Sequence, residues 1–252
     1  MPARPPTLLL IALGAALAAC AGAHTQDTSH AMHDHEAHPQ HEQHAEHAQH
    51  EQHEQHGHAG HQEHRFEDPE AYAESWNDPA RDAWQQPDAI IDAMSLEPRM
   101  TVAEIGAGTG YFLPFLSAAV GDAGQVLAVD IEPNMLAFIE ATVAEKGLGN
   151  VATRLASAGD SGLDAASVDR ILIVNVWHHI PDRAAYAQHL RSRLRTGGSV
   201  WIVDFTADSP SGPPPEYRLA PELVAEELRA GGFEAELHSL VLERQYVVVG
   251  RY

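Results

Sequence analysis

The sequence is poor in cysteine: a single Cys, Cys20, stands among 252 residues. A disulfide framework is therefore excluded, since one thiol has no partner within the chain. Basic residues are scarce as well, 15 Lys and Arg against 36 Asp and Glu, for a formal net charge of −21. A nucleic-acid-binding surface needs clustered cations to neutralise phosphates, so no nucleic-acid partner is expected. Long apolar runs are missing too, and the N-terminal one, Thr7 to Ala19, is too short to span a bilayer as a mature helix. Between residues 21 and 64 there is no Lys or Arg, and beyond alanine and Met32 no apolar side chain to drive packing.

What the N-terminus does contain is a targeting pattern. Arg4 supplies a positive start, the apolar run follows, and it ends in Leu17-Ala18-Ala19-Cys20. This resembles the bacterial lipobox. The resemblance implies removal of residues 1–19 as a signal peptide, diacylation of the Cys20 thiol, and a lipid-anchored protein in the cell envelope. Ala21, rather than Asp, follows the cysteine, which by the same resemblance sends the protein to the outer membrane, facing the periplasm. A conventional signal peptide with an incidental cysteine is the other reading; that the only Cys falls here favours lipidation.

Residues 20–64 read as a disordered tether, and residues 21–64 hold fourteen of the eighteen histidines. From His38 a histidine recurs every third residue, through His41, His44, His47, His50, His53 and His56, before His58, His61 and His64. A three-residue period lines imidazoles along one ridge of a polyproline II chain, whereas in a helix they would drift around the surface. Imidazole with nearby carboxylate suits Zn, Cu or Ni, so the tail is expected to bind divalent metal at loosely defined sites. Its alternative is a solvated spacer whose charge follows pH, from about −8 with neutral imidazoles to about +6 when all are protonated near pH 5.

From Arg65 the composition turns globular, and residues 65–252 are long enough for one domain with a proper core. This domain is organised around Ala103 to Phe112, AEIGAGTGYF, and its sequel Leu127 to Pro133, LAVDIEP. The first reads as the end of a buried strand, a glycine turn and the start of a helix. The second reads as another apolar strand ending in Asp130, about 20 positions further on, where an acidic side chain accepts hydrogen bonds from a ribose. A dinucleotide fingerprint would need G-x-G-x-x-G, but Gly106-Ala107-Gly108-Thr109-Gly110 is followed by Tyr111. The pattern E/D-x-G-x-G-x-G resembles instead the first motif of class I S-adenosylmethionine (SAM) methyltransferases, with Glu104 in its acidic position. The resemblance implies that Glu104, Gly106, Ala107, Gly108 and Gly110, with Asp130 and Ile131, hold SAM.

The remaining elements follow the same family. A helix is expected from Asp78-Pro79 through Met94. Within it RDAWQQPDAII (Arg81 to Ile91) resembles the segment packed beside the cofactor in relatives, where Trp84 or Gln85 lines the pocket; a core role for Trp84 is equally open. Pro133 to Lys146 reads as a helix stopped by Gly147 and Gly149, and Val151 to Leu155 as a third strand. Asp160 in the following loop is the candidate for reading the adenine amino group, although the loop departs from the family's G-D-A pattern. Asp169 to Asn175 is a continuous apolar run suited to a parallel strand covered on both faces. Val176-Trp177-His178-His179-Ile180-Pro181-Asp182 resembles the signature after strand four in the ubiquinone-, menaquinone- and sterol-methylating branch. Gly197 and Gly198 are expected to end the next helix before a strand, Val200 to Val203. A Pro-rich loop, Ser209 to Pro215, has the composition of a site cover. After a helix from Pro221 to Ala230, Phe233 to Leu242 and Gln245 to Val249 read as an antiparallel hairpin. The expected fold is α/β and Rossmann-like: a seven-stranded, mostly parallel sheet with helices on both faces.

Methyl transfer from a sulfonium asks little acid–base work of a protein beyond alignment and exclusion of water; a base is required only when the acceptor keeps its proton. Asn175, His178 and His179 are the catalytic candidates, with Asp204 also at a strand end and Asn175 also near the cofactor. His178 either takes a proton from a hydroxyl or amine, or simply holds its loop. Asn175 does not open the N/D-P-P-Y motif of amino-methylating enzymes, because Val176-Trp177 follow. Two functions therefore stand: a membrane-anchored SAM-dependent methyltransferase acting on a small or lipid-like acceptor, and a metal-binding lipoprotein whose methyltransferase-like domain is a non-catalytic binding module.

Overall fold

The computed structural model of the protein describes residues 68–252. Cys20 and the tail histidines His41, His44, His47, His50, His53 and His56 lie outside the described residues. The strands are β1 (Thr101–Ile105), β2 (Gln125–Asp130), β3 (Val151–Leu155), β4 (Val168–Val174), β5 (Leu194–Phe205), β6 (Glu234–Leu237) and β7 (Gln245–Arg251). They form one sheet in the order β3-β2-β1-β4-β5-β7-β6. The first five pair in parallel, while β7 runs antiparallel to both β5 and β6. This is the expected mostly parallel sheet with a C-terminal hairpin.

The helices are α1 (Pro69–Trp76), α2 (Asp82–Gln85), α3 (Pro87–Ala93), α4 (Leu113–Val120), α5 (Pro133–Lys146), α6 (Arg183–Arg193) and α7 (Pro221–Ala230). Five of them, α1, α3, α4, α5 and α7, carry proline in the first turn, where its missing N–H has no intrahelical partner to lose. Two apolar layers sandwich the sheet. Ala103, Ile105, Ile171, Ile173, Val200 and Ile202 pack with residues of α6 and α7. Val102, Leu172, Val174, Trp201 and Val203 pack with residues of α3, α4 and α5. Burial on both faces is why these strands are largely apolar on successive positions rather than alternating.

Local structure departs from expectation in three places. The single helix over Asp78 to Met94 is a 3-10 turn (Pro79–Arg81) and then α2 and α3, broken at Gln86 with φ 48° and ψ 56°. Pro87 explains the break, since its ring disfavours a right-handed helical conformation in the residue before it. The helix before β5 stops at Arg193, ahead of Gly197 and Gly198, because Leu194 already pairs with Val168. The next register pair is Arg170 with Ser199, so the two glycines occupy an irregularity at the start of β5. In the hairpin β6 covers only Glu234–Leu237, and the chain to Gln245 is loop.

Because β1 lies between β2 and β4, the strand order reverses there, and the crevice at the carboxyl ends of these strands is where an open α/β sheet binds its ligand. Asp130, Asn175 and the glycine turn all fall at that end.

Candidate active site

The glycine turn is pinned to the neighbouring strand before it reaches any ligand. The amides of Gly106 and Ala107 both donate to the Val129 carbonyl, at 2.8 and 3.0 Å. Gly106 has φ +71°, and a Cβ there would lie 2.3 Å from Val176 Cγ2, so only glycine fits. Gly108, φ +53°, sits beneath the Trp76 ring, 3.2 Å from where its Cβ would be.

Asp130 ends β2 and is buried. Its Oδ2 accepts from the Gly108 amide at 2.8 Å, and its Oδ1 from the Glu132 amide at 3.0 Å. Burial raises its pKa, opposed by the backbone N–H groups of Glu132, Gly108 and Ile131. A carboxylate has about four acceptor positions, so capacity remains for the two hydroxyls of a sugar. Ile131, next along, leaves its side chain largely exposed at the mouth of the crevice.

Glu104 is the unusual group. It is buried in β1, its Oε2 has no hydrogen-bond partner, and burial, reinforced by Asp130 and opposed by Arg81, pushes its carboxyl up to about 8. Arg81 donates to Gln85 Oε1 at 3.2 and 3.0 Å and to the Trp76 carbonyl at 2.7 Å. Its guanidinium lies 4.0 Å from the Tyr111 ring centre, within cation–π range. An orphaned buried carboxylate oxygen beside a glycine turn and a strand-end aspartate fits a ligand that is cationic and carries a ribose. SAM is both.

Asn175 adopts φ +59° just after β4 and is tied into a chain of side-chain amides. Gln245 Nε2 donates to Asn175 Oδ1 at 2.6 Å, and Gln85 Nε2 donates to Gln245 Oε1 at 2.5 Å. Gln245 and Arg81 were not among the sequence-derived candidates. The signal for Gln245 is a polar residue opening the otherwise apolar strand QYVVV; that for Arg81 is its place at the head of RDAWQQPDAII.

The turn after β4, Trp177–His179, is held by Trp177, which is fully buried and donates from Nε1 to Glu227 Oε2 at 2.9 Å. Glu227 is in turn paired with Arg183 at 2.8 Å. His178 Nδ1 lies 2.9 and 3.0 Å from the two carboxylate oxygens of Asp204, near the end of β5. His179 is exposed, with its ring centre 4.2 Å from that of His178. Asp160 lies in a tight turn with Ser157, where its Oδ1 accepts from the Gly162 amide at 2.9 Å and stands 3.6 Å from His189. It makes no hydrogen bond to Asp130, Glu104 or Asn175, so the structure does not join it to that cluster.

Beside the same strand end, Trp84 stacks on Phe205 with ring centres 6.3 Å apart. The Pro-rich loop packs there through Gly212, whose Cβ would lie 2.6 Å from Phe205. Arg218 knits that loop together by donating to the carbonyls of Ala207, Ser209, Ser211 and Pro213. Among the described residues there is no group of three or more His, Cys, Asp and Glu able to hold a metal ion, and no helix long and apolar enough to cross a membrane.

Comparison with known proteins agrees with this geometry. A family model described as a methyltransferase domain matches residues 102–198, from β1 to the start of β5. The chain is similar to nocamycin O-methyltransferase of Saccharothrix syringae, 29% identical over 129 residues, which is 51% of this chain and 44% of that protein. It is also similar to a ubiquinone/menaquinone biosynthesis C-methyltransferase of Shewanella frigidimarina, 28% identical over 117 residues, 46% of this chain and 47% of the relative. In both cases the chain spans less than half the length of the curated relative. Among solved structures, a SAM-dependent methyltransferase from Aquifex aeolicus superimposes with a TM-score of 0.68 at 25% identity, covering 73% of this chain and 98% of that one. Residues 102–198 thus match a methyltransferase domain, and in motif and sheet order the chain is similar to class I SAM-dependent methyltransferases.

Proposed function

We propose that the protein transfers the methyl group of SAM to a small or lipid-like acceptor. The observation that carries this is the coupling of the glycine turn to Asp130, with the unpartnered Glu104 oxygen beside it. Bound there, SAM supplies a methyl group on a sulfonium that is already a good leaving group. Asp130 orients the ribose; Glu104 offers its unpartnered acceptor to the positive charge; Asn175, fixed by Gln245, borders the reacting end. Ile131 and Asp160 are the proposed adenine contacts. Arg218 and the loop it ties, with Trp84 and Phe205, exclude water on the acceptor side. Relatives named for O- and C-methylation support a small organic acceptor.

The same proposal includes lipid anchoring through Cys20 in the cell envelope and divalent metal (Zn, Cu or Ni) on the tail histidines. The export pattern of residues 1–19 also favours a second reading, a non-catalytic binding module, because SAM is made in the cytoplasm and a charged nucleoside does not cross a bilayer unaided. Calorimetry of the full chain with SAM and with its demethylated product tests the cofactor site, and a methyl-transfer panel separates the two readings. Tight SAM binding without methylation of any phenol, amine, thiol, quinol or arsenite between about pH 6 and 9 favours the binding module.

A further inference from the structure

We propose that Arg81, Gln85 and Gln245 are positioning residues that hold the Asn175 amide in one orientation, with Nδ2 left as a donor for a carboxylate oxygen of a bound ligand. This rests on the methyltransferase reading above for what enters the crevice, and adds the polarity of one of its walls.

The oxygen and nitrogen of a side-chain amide have nearly the same shape, so direction must come from chemistry. Arginine supplies it, because a guanidinium only donates. Arg81 Nε and Nη2 reach one atom of Gln85, at 3.2 and 3.0 Å, and that atom must be Oε1. Gln85 Nε2 is then the atom that meets Gln245, which has to answer with Oε1. Gln245 Nε2 remains for Asn175, which has to answer with Oδ1, at 2.6 Å. One cation thus sets three amides in turn, and the atom left at the far end is Asn175 Nδ2. Among the described residues it donates to no protein group.

The chain has little freedom to turn. Gln85 and Gln245 are 0% and 3% exposed. Gln85 is the last residue of α2, stopped there by Gln86 and Pro87, and Gln245 opens β7 in register with Phe205. Arg81 is held from behind by the Trp76 carbonyl at 2.7 Å. Asn175 is half-buried, and its backbone amide donates to the Val203 carbonyl at 2.8 Å.

Fastening α2 to β7 needs no direction, and two apolar side chains would do it without burying amides. Direction matters at the open end. The amide dipoles run head to tail from a positive charge, so each polarises the next and the last presents its N–H end. Such an end suits an anionic oxygen. Two sources of one fit the reading above: the carboxylate of SAM itself, and a carboxylate on the methyl acceptor.

The test uses the full chain with labelled side-chain amides, as wild type, Arg81→Lys, Arg81→Met, Gln245→Glu and Gln245→Met. Without ligand, NMR should show the Gln85 and Gln245 Nε2 protons exchanging slowly with water and the Asn175 Nδ2 protons exchanging fast. Arg81→Lys, still a donor only, should keep that pattern, and Arg81→Met should blur it. Gln245→Glu, whose carboxylate only accepts, should protect the Asn175 protons instead. S-adenosylhomocysteine should slow Asn175 exchange in wild type if the oxygen is the cofactor's; benzoate added to that complex should be needed if it is the acceptor's. Gln245→Met should weaken whichever of the two slows Asn175 by roughly tenfold to a hundredfold, and methylthioadenosine, which has no carboxylate, by less than about threefold. Protected Asn175 protons in ligand-free wild type, no response to either carboxylate, or equal losses for the carboxylate and methylthioadenosine overturns the proposal, and the first two need no variant to fold. Failure of wild type to bind S-adenosylhomocysteine or methylthioadenosine instead overturns the methyltransferase reading, while the ligand-free exchange pattern still decides the direction of the chain.

Discussion

The Gly108 amide donates to Asp130 Oδ2 at 2.8 Å, so the glycine turn and the strand-end carboxylate are locked together in the protein itself. Asp130 therefore organises the loop as well as offering acceptors to a sugar. Asp130→Ala should weaken SAM by roughly tenfold to a thousandfold, the worth of one or two charge-assisted hydrogen bonds. It should also cost about 1–3 kcal/mol of stability, because the Gly108 and Glu132 amides lose their acceptor. Calorimetry and denaturant unfolding read the two effects; an unchanged SAM affinity moves the nucleoside elsewhere.

Glu104 makes stability and binding depend on pH. Its folded carboxyl is raised from 4.5 to about 8, so between those values the folded state keeps a proton that the unfolded state has lost. The resulting stabilisation is complete below about pH 4.5 and is lost as pH rises through about 8. Glu104→Gln should flatten that slope in thermal melts. A cation bound near Glu104 should expel the proton at neutral pH, so SAM binding enthalpy should vary with the ionisation enthalpy of the buffer. Equal enthalpies in phosphate and Tris would contradict it.

At Gly106 the backbone and the packing make separable demands. Gly106→Ala must hold an alanine at φ +71° and place its Cβ 2.3 Å from Val176. The strained conformation costs about 1–2 kcal/mol and the overlap about 1–3 kcal/mol more. Adding Val176→Ala should recover the second part and not the first, which a double-mutant cycle measures. A fully additive cycle would mean that the valine gives way freely.

The tail proposals are tested apart from the domain. A peptide spanning Ala21 to His64 should bind Zn at about pH 7.5 and release it near pH 5, where protons compete for imidazole. Deleting that segment should leave SAM binding intact; its loss would end the claim of independence. Cys20→Ser should give unprocessed precursor or released protein, and normally processed protein in the membrane fraction would count against lipidation.

The sheet was legible because the central strands are rich in Val, Ile and Leu between turn residues, and the bounds expected for β3, α5 and α7 agree with the structure. The glycine turn was legible as a turn between strand and helix, because three glycines in five residues after an apolar strand have few other uses; its role toward SAM belongs to the proposal. The helix over residues 78–94 was misread since its apolar spacing continues across Gln86, where Pro87 breaks the backbone without interrupting the stripe. Gln245 stayed hidden for a different reason. Its link to Asn175 joins positions 70 residues apart, and nothing local marks which of several strand-end amides will meet. The His178–Asp204 contact is equally non-local, visible in sequence only as two separate candidates.

Arg218 has a consequence for how such a site changes over evolutionary time. One guanidinium holds four carbonyls spread over residues 207–213, with Arg244 to Ser211 Oγ at 3.3 Å and the packing of Gly212 on Phe205 as further ties. Substitutions between the fastened points reshape a wall, whereas substitution of Arg218 frees four carbonyls together. The glycine turn, Asp130 and Glu104 hang from β1 and β2 and share none of these bonds. If the proposed methyltransferase reading holds, acceptor preference can drift through residues 208–216 without disturbing the proposed nucleoside end, and the two halves of the crevice are free to answer to different selective pressures.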